Sequence, residues 1–309
     1  MRLTRRPDRA LIAALALLLI VAADTAGASG PPRDRTASRA AHMRPERKTA
    51  PVIAAAGDIA RPNRPGKPQR ATAALIRRLN PTAVLTLGDN QYDRGALSDF
   101  RTSYGPTWGR FRAKTFPVPG NHDHETPGAR GYFTYFGKRA HGPRGWYAYG
   151  LGSWRMIALD SIVGASPPGA ELRWLRRELR KHPRGCQLAY FHHPRWSSGE
   201  HGSNTHMGAF WTILQNHGVD VVLNGHDHDY ERFTRLLPSG RPSVRGIREF
   251  VVGTAGASLR SFGPRVARGS QVRRVVNGVL RMHLLLGSYQ WRFIRVGGRT
   301  LDHGSTRCH

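Results

Sequence analysis

From Pro51 onward, short apolar runs alternate with amphipathic stretches, and each early run stops at a turn rich in glycine, asparagine or histidine. Runs of four to six branched or small apolar residues bounded by such turns predict strands over 52–56, 83–87, 116–119, 187–191 and 219–223. These end respectively in Gly57-Asp58, Gly88-Asp89, Gly120-Asn121-His122, His192-His193-Pro194 and Asn224-Gly225-His226. Apolar spacings of three and four predict helices over 69–79, 169–181 and 205–215. Later runs at 250–253, 279–286 and 290–296 lack polar termini and read as extra strands of a second sheet. The resulting expectation is an α/β fold of two packed mixed β-sheets flanked by helices, with the polar turns converging beyond the carboxyl ends of the strands.

The first fifty residues follow a different pattern. A basic start (Arg2, Arg5, Arg6, Arg9), an apolar run over 10–23 and Ala26-Gly27-Ala28 read as an export signal over 1–28. That run falls short of the roughly 20 residues a helix needs to span a bilayer, so contact with a membrane is expected only through the signal. Thr4-Arg5-Arg6 also fits a twin-arginine entry, although Pro7 and Asp8 stand where such signals turn apolar, and the general and twin-arginine routes both stay open. Residues 29–50, rich in Arg, Pro, Ala and Ser, read as a disordered linker, leaving 51–309 as the folded domain of a secreted or cell-envelope protein. In an oxidising compartment Cys186 and Cys308 most simply form one disulfide, tying the C-terminal tail to the core.

Composition narrows the partners. The 309 residues carry 48 basic and 20 acidic side chains, a formal charge of +28, mostly from arginine. Such a surface draws anions by long-range steering. The arginines are scattered, without a basic block interleaved with aromatics, which disfavours a dedicated nucleic-acid reader. The sequence carries no signal for oligomeric state.

Taken singly, a Gly-Asp or Gly-Asn turn is ordinary strand-end chemistry. Taken together, Asp58, Asp89, Asn121, His192, His226 and His228 place carboxylate, amide and imidazole donors at successive strand ends, a set suited to metal ions. Glycine before several of them leaves room for a close approach.

These blocks, namely Gly57-Asp58, Gly88-Asp89-Asn90-Gln91-Tyr92, Gly120-Asn121-His122-Asp123, His192-His193-Pro194 and Gly225-His226-Asp227-His228-Asp229-Tyr230-Glu231-Arg232, resemble the calcineurin-like metallophosphoesterases, in that family's order. Ala60 stands where most of the family has a metal-binding histidine, and Tyr92 stands where the purple acid phosphatases supply a replacement ligand. The resemblance implies one metal on Asp58, Tyr92 and His228, a second on Asn121, His192 and His226, and Asp89 bridging both. It implies Fe(III) at the phenolate and a divalent Fe, Zn or Mn at the other site.

It further implies a secreted phosphatase acting on phosphate monoesters of small molecules by attack of a metal-bound water or hydroxide. His122 is expected to bind phosphate or protonate the leaving group, Asp123 to orient its ring, and His201 to face the substrate. Asp227, Asp229, Glu231 and Arg232 are expected to hold turns and support the ligands. Nothing matches the extra N-terminal β-sandwich of the large plant enzymes, so a single-domain form is expected. Two alternatives stand beside this reading: a phosphodiesterase acting on nucleic acid or cell-wall phosphate polymers, and an inactive anion-binding surface protein.

Overall fold

The structure, a computed structural model, describes residues 50–62, 67–164, 169–183 and 185–309. The expected export signal, and the expected linker apart from Ala50, lie outside the described residues. β1 (Val52–Ala56), β2 (Ala83–Leu87) and β3 (Thr115–Val118) run parallel, with Ile53 opposite Ala83 and Val84 opposite Thr115. Every residue of β2 is buried and β1 is nearly so, as strands covered on both faces require.

The chain then builds a second sheet from β4 (Tyr147–Leu151), β5 (Trp154–Ala158), β6 (Gln187–Tyr190), β7 (Val221–Asn224), β8 (Tyr230–Leu236), β9 (Ile247–Val252) and β10 (Ser270–Arg274), in the order β10-β8-β9-β7-β6-β5-β4. It returns with β11 (Gly278–Leu285), β12 (Ser288–Arg295) and β13 (Thr300–Arg307), which complete the first sheet in the order β13-β12-β11-β1-β2-β3.

This corrects one expectation. The apolar runs at 279–286 and 290–296 belong to the first sheet, where β11 pairs antiparallel with β1, Ile53 opposite Met282. The polar-ended strands are themselves divided, β1 to β3 in the first sheet and β6 and β7 in the second. Only the run at 250–253 joins the second sheet, as part of β9 beside β7. β12 alternates buried and exposed positions, the mark of a strand covered on one face.

The three expected helices form with small shifts of boundary, as Lys67–Leu79, Ala170–Lys181 and Gly208–Asn216. Ile53, Leu85, Tyr190, Val221, Phe250 and Phe293 belong to the principal core, where Tyr230 of one sheet stacks on Phe293 of the other at 3.8 Å. Leu172, Leu175, Phe210 and Trp211 cover the outer face of the second sheet over Ala189 and Val222. Two fastenings join the sheets at the far edge. Asp302 of β13 accepts from Tyr230 Oη at 2.6 Å, Arg232 Nε at 2.7 Å and Trp291 Nε1 at 3.1 Å. Cys186 and Cys308 form the expected disulfide. At the opposite seam the strand ends of the two sheets interlock, with Gly57 N–H donating to Val252 O at 2.9 Å and Ala255 N–H to Gly57 O at 3.1 Å.

Candidate metal centre

Sharp turns at that seam aim the polar side chains inward. Asp58, Asp89 and His226 adopt φ of 59°, 47° and 73°, the left-handed region that non-glycine residues seldom occupy and that clusters at functional sites. Asp58 is held there by its carboxylate, which accepts from His226 N–H at 2.9 Å, and Asp89 by His122 N–H at 2.9 Å. The neighbouring glycines make room for other donors. A Cβ at Gly88 would lie 2.4 Å from His192 Nδ1, and one at Gly120 would lie 2.1 Å from Asp89 Oδ1.

The structure brings all seven expected donors together around Asp89. On one side Tyr92 Oη lies 2.8 Å from Asp58 Oδ1, 2.9 Å from Asp89 Oδ2 and 3.0 Å from His228 Nε2. On the other, His192 Nε2 lies 3.4 Å from Asp89 Oδ2, 3.0 Å from Asn121 Oδ1 and 3.3 Å from His226 Nδ1. Ligand atoms of Asp58, Asp89 and His192 all lie within 4.8 Å of one another.

Hydrogen bonding tests whether this set fits a cation. The carbonyl of Leu87 can only accept, so His192 Nδ1 donates to it at 2.9 Å and leaves Nε2 free as a ligand. Ser258 O does the same for His228 Nδ1 at 2.6 Å. Tyr92 has a single hydroxyl proton for the two carboxylates beside it, so at least one of those contacts sets lone pair against lone pair. Burial, then the Asp58 and Asp89 charges, push the Tyr92 phenol well above its ordinary value, so its ionisation requires a cation alongside. Burial opposes a charged His192, yet the Asp89 carboxylate raises it to about 9, a proton standing where a metal would neutralise the acid. The residues fit bound metal ions.

The three expected catalytic residues part company. His122 faces the centre: its ring lies 4.4 Å from that of Tyr92, its Nε2 is 3.9 Å from Asp89 Oδ2, and its Nδ1 donates to Asp93 O at 2.6 Å. Asp123 does not orient that ring. Its buried carboxylate accepts from the Asn90 and Gly120 amides, each at 3.0 Å, and from the Gln91 amide at 3.3 Å, stitching the β2 and β3 turns together. An exposed acid two positions past a ligand would be free to swing to a neighbouring ring; a buried one is claimed by unpaired backbone N–H groups. Burial and the Asp89 charge raise Asp123 to about 6, against the pull of those donors. His201 is exposed and stacks on His226 at 4.4 Å.

Ser161 and Arg260, which the motifs do not mark, emerge beside the centre, and Asp227 and Glu231 take the supporting roles expected of them. Ser161, in the turn after β5, lies 3.0 Å from His193 Nδ1, and the His193 ring packs 4.4 Å from His226. Arg260 donates to His201 Nε2 at 2.6 Å. Asp227 and Glu231 secure the 197–201 loop, Asp227 through His201 N–H at 2.9 Å and Glu231 through Ser198 N–H at 2.7 Å. A serine or arginine far along the chain carries no motif, and only proximity reveals it.

Two sheets whose strand ends gather carboxylate, phenol, amide and imidazole donors define a phosphoesterase-type metal fold. The chain belongs to the calcineurin-like phosphoesterase family, whose model matches residues 51–230, more than half of its length. Purple acid phosphatase 15 of Arabidopsis thaliana is 25% identical over 252 residues, covering 67% of this chain and 46% of that protein. Tartrate-resistant acid phosphatase type 5 of Sus scrofa is 25% identical over 247 residues, covering 69% of this chain and 68% of that protein. Purple acid phosphatase PPD1 from yellow lupin (Lupinus luteus) seeds superposes with a TM-score of 0.68 at 18% identity, over 84% of this chain and 54% of that one. The chain thus spans about half the length of several relatives it resembles.

Proposed function

We propose that the chain is an exported phosphatase that hydrolyses phosphate monoesters of small molecules with two metal ions. The observation that carries this reading is the division of the donors into two triplets that share Asp89. Asp58, Tyr92 and His228 would hold one ion, with the phenol favouring Fe(III). Asn121, His192 and His226 would hold a divalent Fe, Zn or Mn. Bound there, such ions supply Lewis-acid polarisation of the ester and acidification of water.

The chain's own contribution centres on His122. Donation from Nδ1 to Asp93 O fixes the ring, so a proton to be given away sits on Nε2, on the side facing Asp89. From there it can hydrogen-bond a phosphate oxygen and pass to the departing alkoxide. The disulfide supports export, since such bonds persist in oxidising compartments.

The test is to purify the protein without residues 1–28 and measure metal content, visible spectrum and p-nitrophenyl phosphate hydrolysis. Two metals per chain, a charge-transfer band and turnover are expected. Colourless Zn or Mn with turnover would move the protein away from the purple subgroup. A chain that binds no metal would overturn the reading in favour of an inactive anion-binding protein.

A further inference from the structure

We propose that Arg260 forms an anion subsite on the His201 side of the metal centre, selecting phosphate compounds that carry a second anionic group, such as organic diphosphates. This rests on the phosphatase reading above.

The segment carrying Arg260 is tied to the donors on both flanks. Gly253 N–H donates to Asp229 O at 3.0 Å, Gly256 and Ala257 N–H donate to Asp58 O at 2.9 and 2.8 Å, and Ser258 O receives His228 Nδ1. Arg260 N–H then donates to His228 O at 3.2 Å, and Gly263 N–H to Ser198 O at 2.9 Å. The backbone of Arg260 is therefore placed by the same residues that would hold the metals. Its guanidinium donates to His201 Nε2 at 2.6 Å, and His201 stacks on His226. A guanidinium only donates, so His201 accepts here, and the positive charge at this side of the mouth belongs to Arg260.

Layering sets what it can read. Arg260 stands one imidazole beyond His226, in place for the group next to the scissile phosphate. Its side chain is 32% exposed and has N–H groups beyond the one on His201 for a bidentate acceptor. The neighbouring acid, Glu200, forms an ion pair with Arg260 Nε at 3.7 Å, beyond hydrogen-bond length and at a side chain 60% exposed, so it competes only weakly for the guanidinium. Across the centre, Arg61 lies over the Tyr92 ring but gives Nε and Nη2 to Asp93 Oδ1 at 3.0 and 2.7 Å, so its charge is already matched.

The experiment compares kcat/KM for adenosine diphosphate and p-nitrophenyl phosphate, together with calorimetric binding of methylenediphosphonate and methylphosphonate. Arg260→Gln is expected to lower the diphosphate-to-monoester ratio about tenfold, by loss of a charge-assisted bidentate contact. Arg260→Lys should retain part of the preference, and Glu200→Gln should raise it about twofold by removing a competing exposed charge. Equal losses on both substrates in Arg260→Gln, or an unchanged ratio in both the Arg260 and Glu200 variants, would overturn the subsite. If the unaltered protein hydrolyses neither compound, the phosphatase reading fails separately. Calorimetry then decides: a diphosphonate preference abolished by Arg260→Gln sustains the subsite, and no preference removes it.

Discussion

The two halves of the donor cluster differ in how they are enclosed. The Asp58, Tyr92 and His228 side is buried, backed by the segment that places Ser258 O behind His228. The Asn121, His192 and His226 side is partly open: His192 is buried, but Asn121 and His226 are only half-buried and the exposed His201 ring covers His226. Under the proposed two-metal reading, the closed set, with two hard oxygen donors and one imidazole, would retain its ion, whereas the open, imidazole-rich set would exchange its ion and meet solvent and substrate. One fold seam would thus present two chemistries on either side of the Asp89 carboxylate.

Removing that carboxylate should break the comparison outright. Asp89→Asn is expected to lower turnover by about 10⁴-fold, the scale seen when a member of a catalytic unit is lost, with reduced content of both metals. Near-wild-type hydrolysis in this variant would sink the shared-bridge arrangement. His122→Ala, which removes the ring beside Tyr92 and the shared Asp89, should cost about 10²–10³-fold in kcat with metal content retained. A drop confined to KM would instead make His122 a substrate anchor.

The halves separate in the next pair. Tyr92→Phe should erase a charge-transfer band, while His226→Ala should keep it and lose the exchangeable ion on dialysis, with affinity down roughly 10–100-fold. An unchanged visible spectrum in Tyr92→Phe would remove the phenol from the closed half.

The smallest effect on the centre is expected far from it. Burial opposes ionisation of Asp302, yet the Arg232, Tyr230 and Trp291 donors hold its carboxyl below the usual range. A depressed acid stabilises the fold above its unfolded value near pH 4 and loses that contribution as pH falls through the lower folded value. Asp302→Ala should therefore cost about 3 kcal/mol in thermal or denaturant unfolding at pH 7, and less below pH 4, with an unaltered metal ratio. An equal penalty at pH 7 and pH 3 would show that the loss is packing rather than charge.

Much of this was legible along the chain. β2 is recovered at 83–87 because a parallel strand buried on both faces leaves an uninterrupted apolar run. The short helix Asn121–His124 is hidden because Asn121, His122, Asp123 and His124 offer no apolar period. β13 is hidden too, since an edge strand whose one large apolar side chain is Leu301, among Thr, Asp, His, Gly, Ser and Arg, shows no apolar alternation. Asp123 illustrates the limit at the site: its residue type and spacing suggest a partner for His122, and its burial against three backbone amides gives it another task.

The sequence by itself determined the inventory and order of the donors, because the turn that ends each strand is local chemistry written in consecutive residues. It also determined the apolar periods that make strands and helices. The tertiary structure decided which sheet each strand joins, which donors share a half of the cluster, and that Asp58, Asp89 and His226 sit in left-handed turns. It alone placed Leu87 O, Ser258 O, Ser161 and Arg260 beside their histidines. Those contacts join residues up to 105 positions apart, and nothing in a local pattern specifies which distant carbonyl or guanidinium will meet a given ring.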